Sequence, residues 1–335
     1  MPSIHDVAKR AGVSVATVSR VLGEKPHVRS EVREHVLKIV DEIGYQPNRS
    51  ARRLRAGSSD VIGLIVDLQN PFFISVVHGM EEVAYENHMS TLLCNTAEDL
   101  KRQQINLNVM QAENVAGLIL APCPFTEASA LNNVRKSGLP FVVLDRTIEG
   151  LDADIVQVDN IRGAYMAVKH LIDLGHERIA TILGPASLST GRERLRGYED
   201  ALKDAGKNID PALIKRGDSQ KEDGYVLARE LMLSGEPPTA LFVGNSLMTL
   251  GALQVMRELN VRVPQDLALV GFDDMAWSSE LCPPLTAISQ PTYELGREAV
   301  DLLLRRLAEP NALFRTVILQ TQLVIRESCG VNLKR

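Results

Sequence analysis

The chain has 335 residues, 45% of them apolar, and a formal charge of −5; it is long for one domain, sized for two or three, and too apolar to be a disordered chain. The charge is unevenly placed: residues 1–57 carry 11 Lys/Arg against 6 Asp/Glu, a net +5, and the remaining 26 against 36 make the rest −10. That is the pattern of a nucleic-acid contact surface tethered to an acidic body that phosphate repels. Cys94, Cys123, Cys282 and Cys329 are far apart and lack metal-ligand spacing, so they read as buried free thiols. With no signal-peptide core and no apolar run of membrane-spanning length, a cytoplasmic protein without a membrane partner is expected.

In chain order, Ser3 with Asp6 three residues later predicts a capping box, and Ile4, Val7, Ala8 and Ala11 follow at helical spacing. Gly12 stops that helix. Ser14 caps a second one, in which Val18, Val21 and Leu22 face inward while Val15, Ala16, Thr17, Ser19 and Arg20 face outward. The pair reads as a helix-turn-helix. Its outward face suits a DNA groove, because short side chains let the backbone come close, hydroxyls bond phosphates, and an arginine grips guanine through two hydrogen bonds. A third helix from Ser30 to about Ile43 places Val32, Val36, Ile39, Val40 and Ile43 to close a three-helix unit, and Gly44 ends it.

The run Asp6-Val7-Ala8-x-x-Ala11-Gly12-Val13-Ser14-x-x-Thr17-Val18-Ser19-Arg20-Val21-Leu22 resembles the DNA-binding headpiece of the lac repressor (LacI/GalR) family almost residue for residue. The resemblance implies an all-α headpiece over residues 1–46, a homodimer whose two headpieces read the halves of a palindromic operator, and Ser14, Val15, Ala16, Thr17, Ser19, Arg20 and His27 at the DNA. Val15 and Ala16 stand at the family's other reading positions; being apolar, they favour a thymine methyl and form no side-chain hydrogen bond.

Pro47 is a helix-entry proline, and Gly57-Ser58-Ser59 is linker composition, so residues 47–59 separate the headpiece from the body. An eight-residue helix at Asn48–Arg55 is too short to persist alone, since isolated helices below roughly 12–15 residues are marginal. Its four arginines point its docking at phosphates, and Leu54 is the residue type that wedges between base steps. A plain basic linker is the other reading. The family resemblance continues through Tyr45-Gln46-Pro47-Asn48 and Leu54, where such repressors carry a DNA-ordered hinge helix; it implies Asn48, Arg52, Leu54 and Arg55 as DNA contacts.

From Val61 the chain alternates apolar strands and amphipathic helices. Strands are expected at Val61–Val66, Thr91–Asn95, Gly117–Ala121 and Phe141–Asp145, with a helix from about Phe72 to Asn87. A second series starts at Ile155–Val158 and continues through Ile179–Leu183, Ile214–Arg216, Ala240–Val243 and Leu267–Gly271, with helices between. Leu285–Ile288, a helix from Tyr293 to Leu307 and one terminal strand near Val317–Ile325 complete it. The expected body, residues 60–335, is an α/β effector domain of two doubly wound parallel-sheet lobes. No leucine heptads follow.

Ligands of open parallel sheets sit beyond the carboxyl ends of the strands. Here those places hold Asn70, Phe72 and Phe73, then Asp145 and Arg146, then Arg192, Asn245, Asp273 and Gln290. Each hydroxyl of a sugar can donate to an aspartate and accept from an arginine or amide, while its apolar ring face stacks on an aromatic. Singly these residues are weak markers: an aspartate there is as readily a helix cap, and Phe72 or Phe73 a core residue. Together they resemble the constellation of the periplasmic ribose-type binding proteins, whose fold the lac repressor family's effector domain shares. The resemblance covers residues 61–328 and implies a sugar effector, ribose or a related aldose, with no cofactor and no metal.

The rival is a purine-responsive or other metabolite-responsive member of the same family, for which Thr190 and Arg194 are also suitable polar contacts. Leu188 and Ser219 stand where the resemblance to the purine branch would require an arginine and an aromatic base-stacker. An enzyme is not expected: there is no Gly-x-Gly-x-x-Gly after the first strand, no phosphate loop and no Gly-x-Ser-x-Gly elbow, and His78, His88, His170 and His176 lack paired spacing.

Overall fold

A computed structural model describes residues 2–23, 25–26, 28–45 and 59–333. The chain divides into two compact units, Met1–Ser59 and Asp60–Arg335. His27 and the expected hinge residues Asn48, Arg52, Leu54 and Arg55 lie outside the described residues.

In the first unit, α1 (Ile4–Ala11) opens on the capping box: the Asp6 N–H donates to Ser3 Oγ at 3.3 Å and the Ser3 N–H to Asp6 Oδ2 at 2.8 Å. Gly12 ends it at φ +65°, a left-handed position that costs glycine no strain. In α2 (Val15–Leu22) the cap is Ser14, whose Oγ accepts from the Thr17 N–H at 3.1 Å. The closing helix α3 (Ser30–Glu42) buries Val36 and Ile39 against Val7, Ala8, Ala11, Val18 and Val21. Arg33 locks the turn before it by donating through Nη2 to the Lys25 carbonyl at 2.9 Å. Two positions of the expected outward face are only half-exposed, Thr17 and Val15, the latter packed against this core.

The second unit contains two six-stranded sheets. The first holds β1 (Val61–Val66), β2 (Ser90–Asn95), β3 (Gly117–Leu120), β4 (Phe141–Leu144), β5 (Asp154–Val158) and β11 (Thr316–Leu319), in the order β11-β5-β4-β3-β1-β2 and parallel throughout. The second holds β6 (Ile179–Leu183), β7 (Ile214–Arg216), β8 (Ala240–Val243), β9 (Ala268–Phe272), β10 (Thr286–Ser289) and β12 (Gln322–Val324), in the order β12-β10-β9-β8-β6-β7, with only β12 antiparallel. Helices cover both faces of each sheet, which is why the inner strands read as unbroken apolar runs. On the first lobe they are α4 (Phe72–Glu86), α5 (Leu100–Ala112), α6 (Ala128–Lys136) and α11 (Thr292–Ala308); on the second, α7 (Asn160–Asp173), α8 (Ser189–Asp204), α9 (Lys221–Met232) and α10 (Ser246–Glu258). The strand order reverses between β1 and β3 and between β6 and β8, and the carboxyl ends flanking those switch points make the crevice of a doubly wound sheet.

Two expectations are corrected. β5, placed by sequence in the second series, pairs with β4 and so belongs to the first sheet. The single terminal strand is two strands, one in each sheet, divided at Gln320 and Thr321. The chain therefore passes between lobes after β5, after β10 and after β11. The middle passage delivers α11 to the first lobe, where it lies so close to α4 that a Cβ on Gly79 would fall 2.0 Å from the Tyr293 carbonyl oxygen and one on Gly296 2.0 Å from that of Val76. Among the described residues no helix is long and apolar enough to cross a membrane.

Candidate effector cleft and DNA-reading helix

The strand ends of both lobes converge on one cleft containing about 540 Å³ of space free of protein atoms, part of it open to solvent. From the first lobe come Asp67, Asn70 and Phe72 after β1, Glu98 after β2, and Asp145 and Arg146 after β4. The second lobe supplies Leu188, Thr190, Gly191 and Arg194 from the start of α8, Ser219 and Gln220 after β7, Asn245 and Leu247 at the start of α10, Asp273 after β9 and Gln290 after β10.

Local structure fixes each group. Asn70 turns its side chain back to accept the Phe72 N–H at 3.1 Å, closing the entry to α4. Asn245 caps α10 by accepting from the Met248 N–H at 2.8 Å, and its Nδ2 donates to the Ser219 carbonyl at 2.9 Å. Asp145 and Asp273 both sit at positive φ, +65° and +76°, which turns their carboxylates off the strand ends. Asp273 accepts from the Ser246 N–H at 3.0 Å and from Gln290 Nε2 at 2.5 Å. Arg146 grips Glu98 through both terminal nitrogens at 2.9 and 2.5 Å, donates to the Pro122 carbonyl at 2.6 Å, and keeps Nε 3.4 Å from Asp145. Arg194 donates from Nε to Asn160 Oδ1 at 2.9 Å and from Nη1 to the Gly244 carbonyl at 2.5 Å, with its guanidinium 3.7 Å over the Phe272 ring.

Burial is the largest influence on Asp145 and Asp67. It pushes Asp145 above the usual carboxylate range against the pull of Arg146 and Arg194, and raises Asp67 in the same way. Burial also lowers Arg194, with Asp273 and Asp145 pulling the other way. Arg146 goes up, because the charge and hydrogen bonds of Glu98 outweigh its burial. Among the described residues, two buried atoms of the lining have no hydrogen-bond partner, the Arg146 Nε–H, which has only its 3.4 Å ion pair to Asp145, and the acceptor Gln290 Oε1; Ser246 Oγ, beside Asp273, is likewise without one.

Of the residues singled out in the sequence, Asn70, Phe72, Asp145, Arg146, Asn245, Asp273 and Gln290 line this cleft. Two do not. Phe73 is fully buried in the first lobe's core, edge-on to Phe72 with ring centroids 4.9 Å apart. Arg192 is exposed and donates to the Ala186 carbonyl at 2.8 Å; the cleft cation of α8 is Arg194. Successive residues turn about 100° on a helix, so a position two along faces nearly opposite, whereas Thr190 and Arg194, four apart, share a face. Sequence reasoning missed Asp67 and Glu98. Asp67 follows β1 directly and obeys the strand-end rule, whereas Glu98 enters only as the partner of Arg146.

On the DNA-binding unit, Ala16, Ser19 and Arg20 are exposed on α2, and Thr17 is half-exposed with its Oγ1 2.9 Å from Ser14 Oγ. Residues 3–48 match the bacterial regulatory proteins of the lacI family, and residues 168–329 the periplasmic binding protein-like domain. The chain is 37% identical over 329 residues to a ribose operon repressor of Haemophilus influenzae, covering 98% of each chain. It is 35% identical over 332 residues to the HTH-type transcriptional repressor PurR of Haemophilus influenzae, again covering 98% of each. The chain belongs to the lacI family. Among solved structures, this lacI-family chain superposes on the lac repressor dimer bound to operator and the anti-inducer ONPF with a TM-score of 0.86, at 30% identity and with 98% of this chain and 99% of that one covered. As a lacI-family member it is a DNA-binding transcriptional repressor, with a helix-turn-helix joined to a two-lobed periplasmic-binding-protein-like domain.

Proposed function

We propose that this repressor acts as a homodimer on a palindromic operator, and that its affinity for DNA is set by a small neutral aldose, ribose or a close relative, bound in the cleft between the lobes. Relatives named for purine and for ribose regulation are about equally similar to this chain, so the choice of effector rests on the cleft. The carrying observation is that a buried donor and a buried acceptor without hydrogen-bond partners, Arg146 Nε and Gln290 Oε1, lie in one lining with the carboxylates of Asp145 and Asp273. A hydroxyl both donates and accepts, so a ring bearing several of them satisfies such a mixed set. Among the described residues Phe72 is the lining's only aromatic ring, suited to one apolar sugar face. Leu188 and Ser219, which also line the cleft, offer neither an arginine nor a second ring to sandwich a purine.

Thermal unfolding of the protein with ribose, other pentoses, hexoses, sugar phosphates, hypoxanthine and adenosine tests this. At a hundredfold excess over Kd an effector adds about 2.7 kcal/mol, roughly 5–10 °C for a domain of this size. Stabilisation by a purine alone overturns the sugar reading. A gel shift on a palindromic site with and without the stabilising compound then gives the sign of the response, which follows from whichever state of the lobes the operator-bound dimer prefers.

A further inference from the structure

Arg194 is the one cleft cation that the second lobe supplies, and how it is aimed depends on a residue outside the cleft. Its Nε–H needs an acceptor, and that acceptor is the amide oxygen of Asn160, 2.9 Å away. Asn160 is the first residue of α7, immediately after the chain leaves β5, and it is almost fully buried. An asparagine side chain offers an oxygen on one side and an NH2 on the other, so something must decide which side meets Arg194. The other side of Asn160 faces Glu193: Nδ2 donates to Glu193 Oε2 at 3.0 Å, with the Val158 carbonyl at 3.4 Å as a weaker second acceptor. A carboxylate only accepts, so it takes the NH2 and leaves the oxygen for Arg194.

We propose that Glu193 and Asn160 are the positioning residues of the effector site: Glu193 sets the orientation of the Asn160 amide, and Asn160 sets the guanidinium of Arg194 in the cleft. The proposal rests on the reading that the cleft binds the effector, and adds the residues that preorganise it. With no acceptor at position 193 the Asn160 NH2 keeps only the weaker Val158 carbonyl, and the amide is no longer held with its oxygen at the Arg194 Nε–H. The charged groups that act on Glu193 are Arg192 and Arg194 on its own helix and Asp145 from the first lobe, with Asn160 as its hydrogen-bond partner from α7. Burial holds Glu193 above the usual carboxylate range, with Asp145 adding to the rise and the Asn160 hydrogen bond and both arginines opposing it.

The test uses full-length protein and has one arm that needs no ligand. The Nε–H resonance of Arg194, identified by its absence in Arg194→Lys, is followed by hydrogen exchange at a fixed pH near neutrality. We expect exchange at least tenfold faster in Glu193→Ala and in Asn160→Ala, and close to wild type in Glu193→Gln, whose amide oxygen still accepts from Asn160 Nδ2. In the second arm, ribose affinity falls at least tenfold in Glu193→Ala and less than threefold in Glu193→Gln. If Glu193→Ala leaves the exchange rate at the wild-type value, or if the Gln and Ala variants behave alike, the relay is overturned. Should the exchange pattern hold while no aldose binds, the cleft reading fails and the relay stands.

Discussion

Asp145 and Asp273 face the same cleft, but substituting them has opposite consequences for the empty protein. Replacing Asp273 with Asn puts an NH2 where Gln290 now donates; Gln290 flips to offer its unpaired Oε1, and the second Asp273 oxygen keeps the Ser246 N–H. Asp273→Asn is therefore expected to change stability by less than about 1 kcal/mol while losing most of the sugar-induced thermal shift, because a charge-assisted acceptor is gone. Asp145 is raised by burial, so its ionised form is penalised when folded. The sign follows: at a pH below the unfolded value of 3.8 there is no penalty, and it grows to its full size above the folded pKa. Asp145→Asn should accordingly raise the stability of the empty protein at pH 7 by about 0.5–2 kcal/mol, and its melting temperature with it, lose that gain on acidification, and bind sugar poorly. A lower melting temperature at pH 7 would mean that the pairing with Arg146 and Arg194 outweighs burial. On α8, Arg194→Ala should abolish most of the thermal shift and Arg192→Ala leave it intact. Both arginines are visible in the sequence, but choosing between them requires the phase of the helix, which Thr190, Gly197, Tyr198 and Ala201 reveal once they are seen to be the buried stripe.

Elements were legible where local chemistry and tertiary packing agree. The α1 start, the α2 start and the left-handed Gly12 follow from capping side chains and a missing Cβ, both local properties. α5 has a capping aspartate, Asp99, but no stripe to extend it: Ile105 and Val109 are exposed while Leu107 and Met110 are buried, so its apolar residues wrap around the helix. The break between β11 and β12 is equally silent, since Leu319-Gln320-Thr321-Gln322 contains no glycine or proline, and only the pairing partners divide it. The capping of α2 leads to a test at this scale. Ser14→Ala removes the acceptor for the Thr17 N–H, worth about 1 kcal/mol, or roughly 4–8 °C in a domain of some 60 residues. Calorimetry of the full chain should show the earlier, smaller transition move down by that amount and the effector-domain transition stay put. Arg20→Ala, exposed on the same helix, should leave both transitions alone and weaken specific operator binding by about 1–3 kcal/mol with relaxed preference at one base pair per half-site. Equal losses on every sequence would make Arg20 a phosphate contact.

At the scale of the molecule, the charge division and the alternating strands foretold a basic helical unit on an acidic two-lobed body, but not how the chain is shared between lobes. Three passages, after β5, β10 and β11, put both lobes' strand ends on one cleft, and pairing across such sequence distances leaves no local trace. The lobes also meet directly: the Thr147 N–H, in the loop after β4, donates to Ser189 Oγ, at the first turn of α8, at 2.9 Å. Ser189 is 2% exposed and Thr147 half-buried, and the bond they make across the lobes belongs to the arrangement of lobes seen here. Ser189→Ala removes the acceptor while keeping the helix start, and the lost hydrogen bond costs that arrangement about 1 kcal/mol. If sugar binds this arrangement of the lobes, its affinity should fall about fivefold, a factor set by the same 1 kcal/mol, with no change in the residues that touch it. The operator side gives the second reading. Linkage requires that a factor by which sugar changes DNA affinity equal the factor by which DNA changes sugar affinity, so Ser189→Ala should shift operator affinity in the direction opposite to sugar. The salt dependence of DNA binding should stay as it was, because the phosphate contacts are untouched. Calorimetric titration with ribose and an anisotropy series with operator at several salt concentrations measure both; unchanged sugar affinity would show that the effector binds equally well when Thr147 and Ser189 are apart.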